Sequence, residues 1–435
     1  MEERLMLLPI QNKRRLRVLF ILPPFLPTPP KGYGGIEAVA AALIPALERA
    51  GARLTVTTPI GSQLKVSELR TITEPLYSEL AGPYNVVEHK VALYASRVMN
   101  IAWNGRFDVI HDFTGLDSIA STLTSALHSF DLPPVVHTIH GPIQPFAEQY
   151  LEHIKAPNFH ITGISHAQLN TAPMRVRRNA RVIYNCIDPK DYTVGKGGDR
   201  FLAMGRINQD KGQDQLTRYC AEHKIPLDLA GPVAEMTDYD QIMEEVAKGR
   251  KSAYWDNPAY QTFYHMQQYI DGDLIRYHGN AGGDLKSKLL QNAKALVMAN
   301  RWAEPFGMVA IEAMASGTPV LASGGGALPE IVLHGETGYL ADTFDELTEY
   351  INDDALAAID RAACREHVTA NFSADSIAAD FMSLYNELLI PAPSPAQVVK
   401  SSLGLGKLPK PTAPSTMDFY DHIPGSRDRS TETEI

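Results

Sequence analysis

The sequence predicts an α/β protein: two doubly wound, Rossmann-like domains facing across a cleft, followed by a disordered C-terminal tail. Three observations predict it. Apolar runs of strand length alternate with helical stretches, which is the pattern of a parallel sheet covered on both faces. The alternation stops at the glycine-rich "VGKGGD" (Val194–Asp199) and then begins again. At 435 residues the chain exceeds one ordinary domain and suffices for two full cores.

In the first half, the runs Leu16–Leu22, Leu54–Thr58, Asp108–Phe113, Val135–His140, His160–Ser165 and Arg181–Ile187 read as buried strands. Between them, stretches such as "IEAVAAALIPALERAG" carry helical spacing and end on a glycine, Gly51. The second set is Arg200–Gly205, Leu227–Gly231, Ile275–Gly279, Ala295–Asn300, Pro319–Ser323 and Gly338–Ala341. "SADSIAADFMSLYNELL" (Ser373–Leu389) is an amphipathic helix with serine at its N-cap. The expected divisions are residues 1–193 and 194–372 for the two domains, 373–390 for the last helix and 391–435 for the tail. The tail is rich in Pro, Ser, Thr and charge and lacks a periodic apolar face, so it cannot offset the entropy of ordering.

Composition excludes several classes. A net charge of −10 without a basic stripe argues against nucleic acid as a partner, while leaving room for a local basic patch that meets phosphates. No apolar run reaches the length of a membrane span, so any membrane contact is expected to be peripheral. The opening "MEERLMLLPIQNKRRLRVLFIL" has acidic residues ahead of its apolar patch and lacks a small-residue cleavage site, unlike a secretory signal. Cys186, Cys220 and Cys364 are few and odd in number, which fits a reducing cytoplasm and no structural zinc.

The most informative stretch is "EPFGMVAIEAMASGTPVLA" (Glu304–Ala322). It follows a strand end, where ligands of such folds bind. Pro305 and Gly307 make a turn, and a helix is expected from about Met308 to a stop at Gly317 and Pro319. The first N–H groups of that helix, at Gly307, Met308 and Val309, lack helical partners and form a positive end suited to a phosphate. Glu304 and Glu312 stand on either side of it. Carboxylates repel a phosphate but accept hydrogen bonds from hydroxyls flanking one. A nucleotide sugar has that layout, with a hexose at one end of a diphosphate and a ribose at the other. Either glutamate alone reads equally well as a helix-start residue.

Other segments converge on strand ends. "MGRINQDKG" (Met204–Gly212) offers Arg206 and Lys211, two cations for a diphosphate, although taken alone the segment reads better as a solvated loop with two surface charges. In "PPKGYGGIEAVAAAL" (Pro29–Leu43), Gly32, Gly34 and Gly35 allow close approach of an anion, but the spacing is not that of a dinucleotide fold. "VVHTIHGP" (Val135–Pro142) places His140 at a loop and His137 in the strand, where it reads as structural. His111 reads equally as a site residue and as a core residue, and Asp112 is a weaker candidate for holding an acceptor hydroxyl. Asp238–Asp240 and Asp271–Asp273 match D-x-D metal motifs but lie in polar stretches away from strand ends, so no metal and no other cofactor is expected.

The Glu304–Ala322 string resembles the Glu-x7-Glu signature of retaining family 4 glycosyltransferases with the GT-B fold, and the resemblance extends over about Leu16–Leu389. It implies hexose transfer from a nucleoside diphosphate sugar to an acceptor hydroxyl on a small molecule, glycan or lipid. It implies that Glu304 contacts the hexose, Glu312 the ribose, and Gly307, Met308 and Val309 the diphosphate. Arg206 and Lys211 become the diphosphate clamp, Gly34 and Gly35 lie against the donor, and His140 stands close to the transferring sugar. In the resembling fold the terminal helix crosses back to the first domain. "RWAEPFGMVAIEAMA" is most similar to members that use UDP-sugars, which favours UDP-glucose over GDP-mannose. The alternatives are a nucleotide-sugar epimerase and a non-catalytic nucleotide-sugar sensor.

Overall fold

The computed structural model describes residues 14–390, except residues 33, 78–83, 130–131, 144–150, 152–155 and 235. The tail expected from residue 391 lies outside the described residues. Two parallel sheets carry the fold. The first has the order β3-β2-β1-β4-β5-β6-β7, with β1 at Leu16–Ile21, β2 at Ala52–Pro59, β3 at Glu68–Thr73, β4 at Val109–Asp112, β5 at Val135–Ile139, β6 at Phe159–Gly163 and β7 at Arg181–Val182. The second has the order β10-β9-β8-β11-β12-β13, with β8 at Phe201–Met204, β9 at Leu227–Ala230, β10 at Ile275–Tyr277, β11 at Leu296–Met298, β12 at Val320–Ser323 and β13 at Gly338–Ala341. In each sheet the order reverses at the first strand of its set, β1 or β8, which is the switch point where ligands of doubly wound folds bind.

Two departures from the sequence reading have physical causes. The edge strand β3 escapes it because "ELRTIT" exposes Glu68 and Arg70, as edge strands do, and carries no apolar run. "RVIYNCI" pairs only at Arg181–Val182. Beyond that the chain leaves the sheet, and Ile187 exchanges backbone hydrogen bonds with the far end of the chain, Ile187 N to Phe372 O at 3.1 Å and Ala374 N to Ile187 O at 2.8 Å.

The helix Ala374–Leu388 starts at Ser373, whose side chain accepts from Ser376 N, and it buries Ile377, Phe381, Leu384 and Tyr385. These residues belong to the core of the first sheet, together with Val18, Phe20 and Leu43. The returning helix is therefore a structural part of the first domain. Tyr385 OH lies 2.5 Å from His111 Nδ1, and His111 Nε2 lies 2.8 Å from Thr138 Oγ1. His111 thus reads as core, and burial holds its pKa well below the usual imidazole value.

"VGKGGD" is anchored to the second domain. Gly195 N bonds Ser316 O at 3.0 Å, Gly197 N bonds Gln291 O at 3.1 Å, and Arg361 Nε donates to Gly195 O at 2.9 Å. A Cβ at Gly195 would overlap the Gln291 carbonyl, so this glycine serves close backbone approach.

Phe381 is 1% exposed. Phe381→Ala should cost about 3–5 kcal/mol by leaving a cavity between the last helix and the first sheet. A urea titration followed by circular dichroism measures it, and a midpoint equal to wild type would show that this helix does not stabilise the first domain.

Candidate active site

The helix Met308–Ala315 begins one loop after β11. Gly307 takes the left-handed conformation, φ 99°, and no side chain caps the helix start. Its far end closes as the sequence predicts, with Gly317 at φ 75°, Gly317 N on Met314 O at 2.9 Å and Thr318 N on Ala313 O at 2.8 Å. The glutamates beside the helix start are buried, Glu304 8% and Glu312 5% exposed. A carboxylate taken out of water needs a cation or several donors, and each glutamate has a lysine. Glu304 pairs with Lys211 and accepts from Asn300 Nδ2 at 3.0 Å. Glu312 pairs with Lys286 at 2.6 Å and accepts from Tyr192 OH at 3.2 Å. Burial and the Glu312 charge push the Tyr192 phenol up, so it stays a neutral donor.

Lys211 is fixed locally. The Asn208 side chain accepts from Lys211 N at 3.0 Å in a short 3-10 turn, and Gly212 follows with φ 67°. Its ammonium lies 5.0 Å from the centre of the Trp302 ring. Trp302 Nε1 is buried without a hydrogen-bond partner among the described residues. Arg206 is exposed in the same loop after β8.

The Glu304 backbone is held by the "GGG" turn after β12. Glu304 bridges to Gly326, and Ala327 N donates to Glu304 O at 2.8 Å. Gly326 has φ 70°, and a Cβ there would overlap the backbone N and O of Glu304.

The first domain brings its own residues to the second. A Cβ on Gly32 would fall 2.5 Å from Asn280 Nδ2, and one on Gly282 would fall 2.8 Å from Lys31 O. The glycine loop after β1 thus touches the loop after β10. Gly34 is the N-cap of the helix Gly35–Arg49, and Gly35 has open space around its Cα. Ser165 Oγ donates to Pro305 O at 2.7 Å. Glu330 accepts from His166 N at 2.9 Å, Ala167 N at 2.7 Å and Tyr184 OH at 3.0 Å. Tyr184 and Met308 pack against the cores of both domains.

His140 lies at the end of β5 against Phe113, ring centres 4.2 Å apart, and Nε2 has no hydrogen-bond partner among the described residues. Burial and the neighbouring His137 push its pKa down to about 3 despite a hydrogen bond with the Phe113 backbone. The ring is neutral at ordinary pH, with Nε2 unbonded among the described residues. Asp112, by contrast, is fully buried and consumed by His137 Nδ1 at 2.8 Å and Thr114 Oγ1 at 2.6 Å. Its burial and these bonds on both oxygens weigh against Asp112 holding an acceptor hydroxyl. Asp238 caps a helix by accepting from Gln241 N, and Asp271 accepts from Asp273 N and Ile275 N in a turn, so both D-x-D strings are spent on local structure. No metal-holding cluster of His, Cys, Asp and Glu occurs among the described residues.

The sequence reading missed Lys286, Tyr192, Trp302, Gly326 and Glu330. It also missed Tyr239, whose half-exposed ring stacks on Tyr277 at 5.8 Å and lies against Gly279.

A two-domain α/β fold with this strand-end constellation is the GT-B architecture. Two family profiles match consecutive stretches of the chain: "Glycosyltransferase Family 4" over residues 33–191 and "Glycosyl transferases group 1" over residues 187–367. The chain is a GT-B glycosyltransferase of these families. N-acetyl-alpha-D-glucosaminyl L-malate synthase of Bacillus anthracis is 21% identical over 366 residues, 77% of this chain and 93% of its own. D-inositol 3-phosphate glycosyltransferase of Streptomyces avermitilis is 40% identical over 100 residues, a span of 21% of each chain. Among solved structures, sucrose-phosphate synthase from Thermosynechococcus elongatus has a TM-score of 0.68 at 21% identity, covering 87% of this chain and all of that one. Anabaena HepE in complex with UDP-glucose has a TM-score of 0.59 at 16% identity, covering 86% of this chain and all of that one. No helix among the described residues is long and apolar enough to cross a membrane.

Two outcomes follow from this geometry. Gly326→Ala should destabilise the protein by more than about 1 kcal/mol, because the position has positive φ and no room. It should also lower turnover by displacing Glu304. Unchanged melting and turnover would show that the turn does not hold Glu304. His140 has a folded pKa near 3 against 6.5 for the free side chain. The unfolded chain takes up a proton that the folded one refuses, so stability is full above pH 6.5 and falls as pH drops from 6.5 towards 3. His111 acts in the same direction. Urea titrations across that range should show a shallower decline for His140→Gln than for wild type.

Proposed function

We propose that the protein transfers a hexose, with UDP-glucose the favoured donor, from a nucleoside diphosphate sugar to an acceptor hydroxyl with retention of configuration. The carrying observation is the uncapped start of the Met308–Ala315 helix between two buried carboxylate–lysine pairs. In this reading the N–H groups of Gly307, Met308 and Val309 meet the diphosphate. Lys211 and Arg206 turn towards it, which releases Glu304 to accept hydrogen bonds from the hexose. Glu312 accepts the ribose hydroxyls while Lys286 balances its charge. Gly34 and Gly35 close over the donor from the first domain. The exposed ring of Tyr239 beside Gly279 offers a surface for the base, and Trp302 Nε1 offers an N–H to a donor oxygen.

The bond from the anomeric carbon to the phosphate oxygen breaks, the bond to the acceptor oxygen forms on the same face, and the departing phosphate oxygen takes the acceptor proton. Charge grows on the diphosphate as it leaves, so cations fixed beforehand lower the barrier. His140, neutral and with Nε2 open, bonds a sugar hydroxyl and positions the ring; it is not an acid. The domain division at residues 193 and 372 and a cytoplasmic setting, in keeping with three buried free cysteines, belong to the same proposal.

A GDP-mannose donor is the second reading. It is favoured by a match of 39% over 92 residues to a Rhizobium leguminosarum lipopolysaccharide core mannosyltransferase. A melting screen with UDP-glucose and GDP-mannose separates them, since the bound donor raises the midpoint by mass action. An epimerase would convert the sugar without an acceptor. A sensor would bind the donor and leave it intact.

Glu312→Ala should weaken donor binding roughly 10- to 150-fold, the equivalent of about 1.5–3 kcal/mol for a charge-assisted hydrogen bond. Lys211→Ala should lower turnover at saturating donor about 100-fold. Calorimetry showing equal donor affinity would remove Glu312 from the ribose, and near-normal turnover would remove Lys211 from the diphosphate.

A further inference from the structure

At the opposite edge of the first sheet lies a cavity of about 520 Å³, lined by Arg17, Arg53, Arg70, Arg106, Glu68 and Asn104 among others. The arginines come from four places: β1, β2, β3 and the loop that enters β4. Arg17 and Arg53 are directly paired residues of neighbouring strands. Like charges at paired positions destabilise a sheet, so this juxtaposition calls for anions. Two are present. Asp108 takes both Arg14, at 3.1 Å, and Arg17, at 3.2 Å. Glu68 takes Arg70 and accepts from Thr55 Oγ1 at 2.9 Å. Arg53 and Arg106 make no hydrogen bond or ion pair among the described residues, although Arg53 acts on Glu68 at longer range. Five guanidinium groups thus face two carboxylates, in a chain whose acidic residues outnumber its lysines and arginines 50 to 40.

The cavity is separate from the donor site. Arg17 stands at the amino end of β1, and the Gly34 loop follows its carboxyl end. Four strand residues span about 13 Å, and no residue assigned to transfer lines the cavity. Its volume suits a small ligand rather than a single ion. Guanidinium groups present paired N–H donors that match the oxygens of a phosphate, with more geometric selectivity than point charges.

We propose that this cavity binds a phosphate monoester group, carried either by a soluble phosphorylated ligand or by a lipid headgroup, with Arg53 and Arg106 as its open cations.

The test compares wild type with Arg53→Gln/Arg106→Gln. Both side chains are exposed and unpaired, so the variant should melt as wild type does. In the first arm, inorganic phosphate replaces chloride at constant ionic strength, followed by calorimetry. Wild type should show saturable binding that weakens about tenfold or more in the variant, as loss of two charge-assisted contacts requires. The donor site keeps its cations in the variant, so phosphate held there persists and is not counted. In the second arm, both proteins are sedimented with phosphatidylcholine vesicles, with and without phosphatidic acid. Arginine-dependent phosphate binding without vesicle binding assigns a soluble ligand. Arginine-dependent capture by the phosphatidic acid vesicles assigns a headgroup. Binding that is equal in wild type and variant in both arms, or absent from both, overturns the proposal.

Discussion

Burying two carboxylates beside the start of one helix is the constraint around which the second domain is arranged. Neither Glu304 nor Glu312 is tolerated there unpaired, since the desolvation of a lone carboxylate costs several kcal/mol. Each partner comes from a distant part of the sequence. Lys211 follows β8, and Lys286 sits in the helix Gly283–Asn292 that precedes β11. The parallel order β10-β9-β8-β11-β12-β13 brings these segments to one edge. Glu304 is held further by the Gly326 turn after β12, where only glycine fits. Much of the domain's topology thus converges on two charges that an apolar core would exclude.

The first domain is held to the second by contacts of a different kind. Ser165 reaches the Pro305 carbonyl inside the signature turn, and Glu330 serves two free N–H groups at the start of the short helix His166–Asn170. The C-terminal helix, whose apolar face completes the first core, hydrogen-bonds to the chain at Ile187 as it enters. These polar and local links surround an apolar contact in which Ile164, Ile187, Tyr184 and Met308 pack into the second core. Among the described residues the direct side-chain links across the seam are few, Ser165 to the Pro305 carbonyl and Glu330 to His166, Ala167 and Tyr184, so the seam is held by a small number of contacts.

What was legible in the sequence follows from this. The helix start at Met308, its stop at Gly317 and the N-cap at Ser373 were readable because glycine, proline and serine carry local backbone instructions. Strands of the inner sheet were readable because burial on both faces leaves continuous apolar runs. Edge strand β3 was not, because half its residues face water. Lys286 and Glu330 were not, because a charged residue on a helix looks the same whether it meets solvent or a partner far along the chain. Asp112 shows the converse. An acid at a strand end looks catalytic until the fold shows His137 and Thr114 consuming it.

Strand polarity also explains why the arginine cavity stands out. Helices that follow parallel strands point their amino ends at the carboxyl edge of the sheet, which makes that edge attractive to anions without any side chain. The amino edge receives helix carboxyl ends, and these favour cations. The helix Tyr84–Asn104 ends against the cavity, and Arg106 lies two residues beyond it. Its dipole therefore offsets part of one guanidinium charge, on the order of 0.3–1 kcal/mol. That effect fades within a turn. It does not reach Arg17 and Arg53, which are fixed in register on adjacent strands, Arg17 paired with Asp108 and Arg53 acting only at longer range on Glu68. The repulsion there is built into the sheet, and a bound dianion relieves it in the same way that Lys211 and Lys286 relieve the buried glutamates at the other edge.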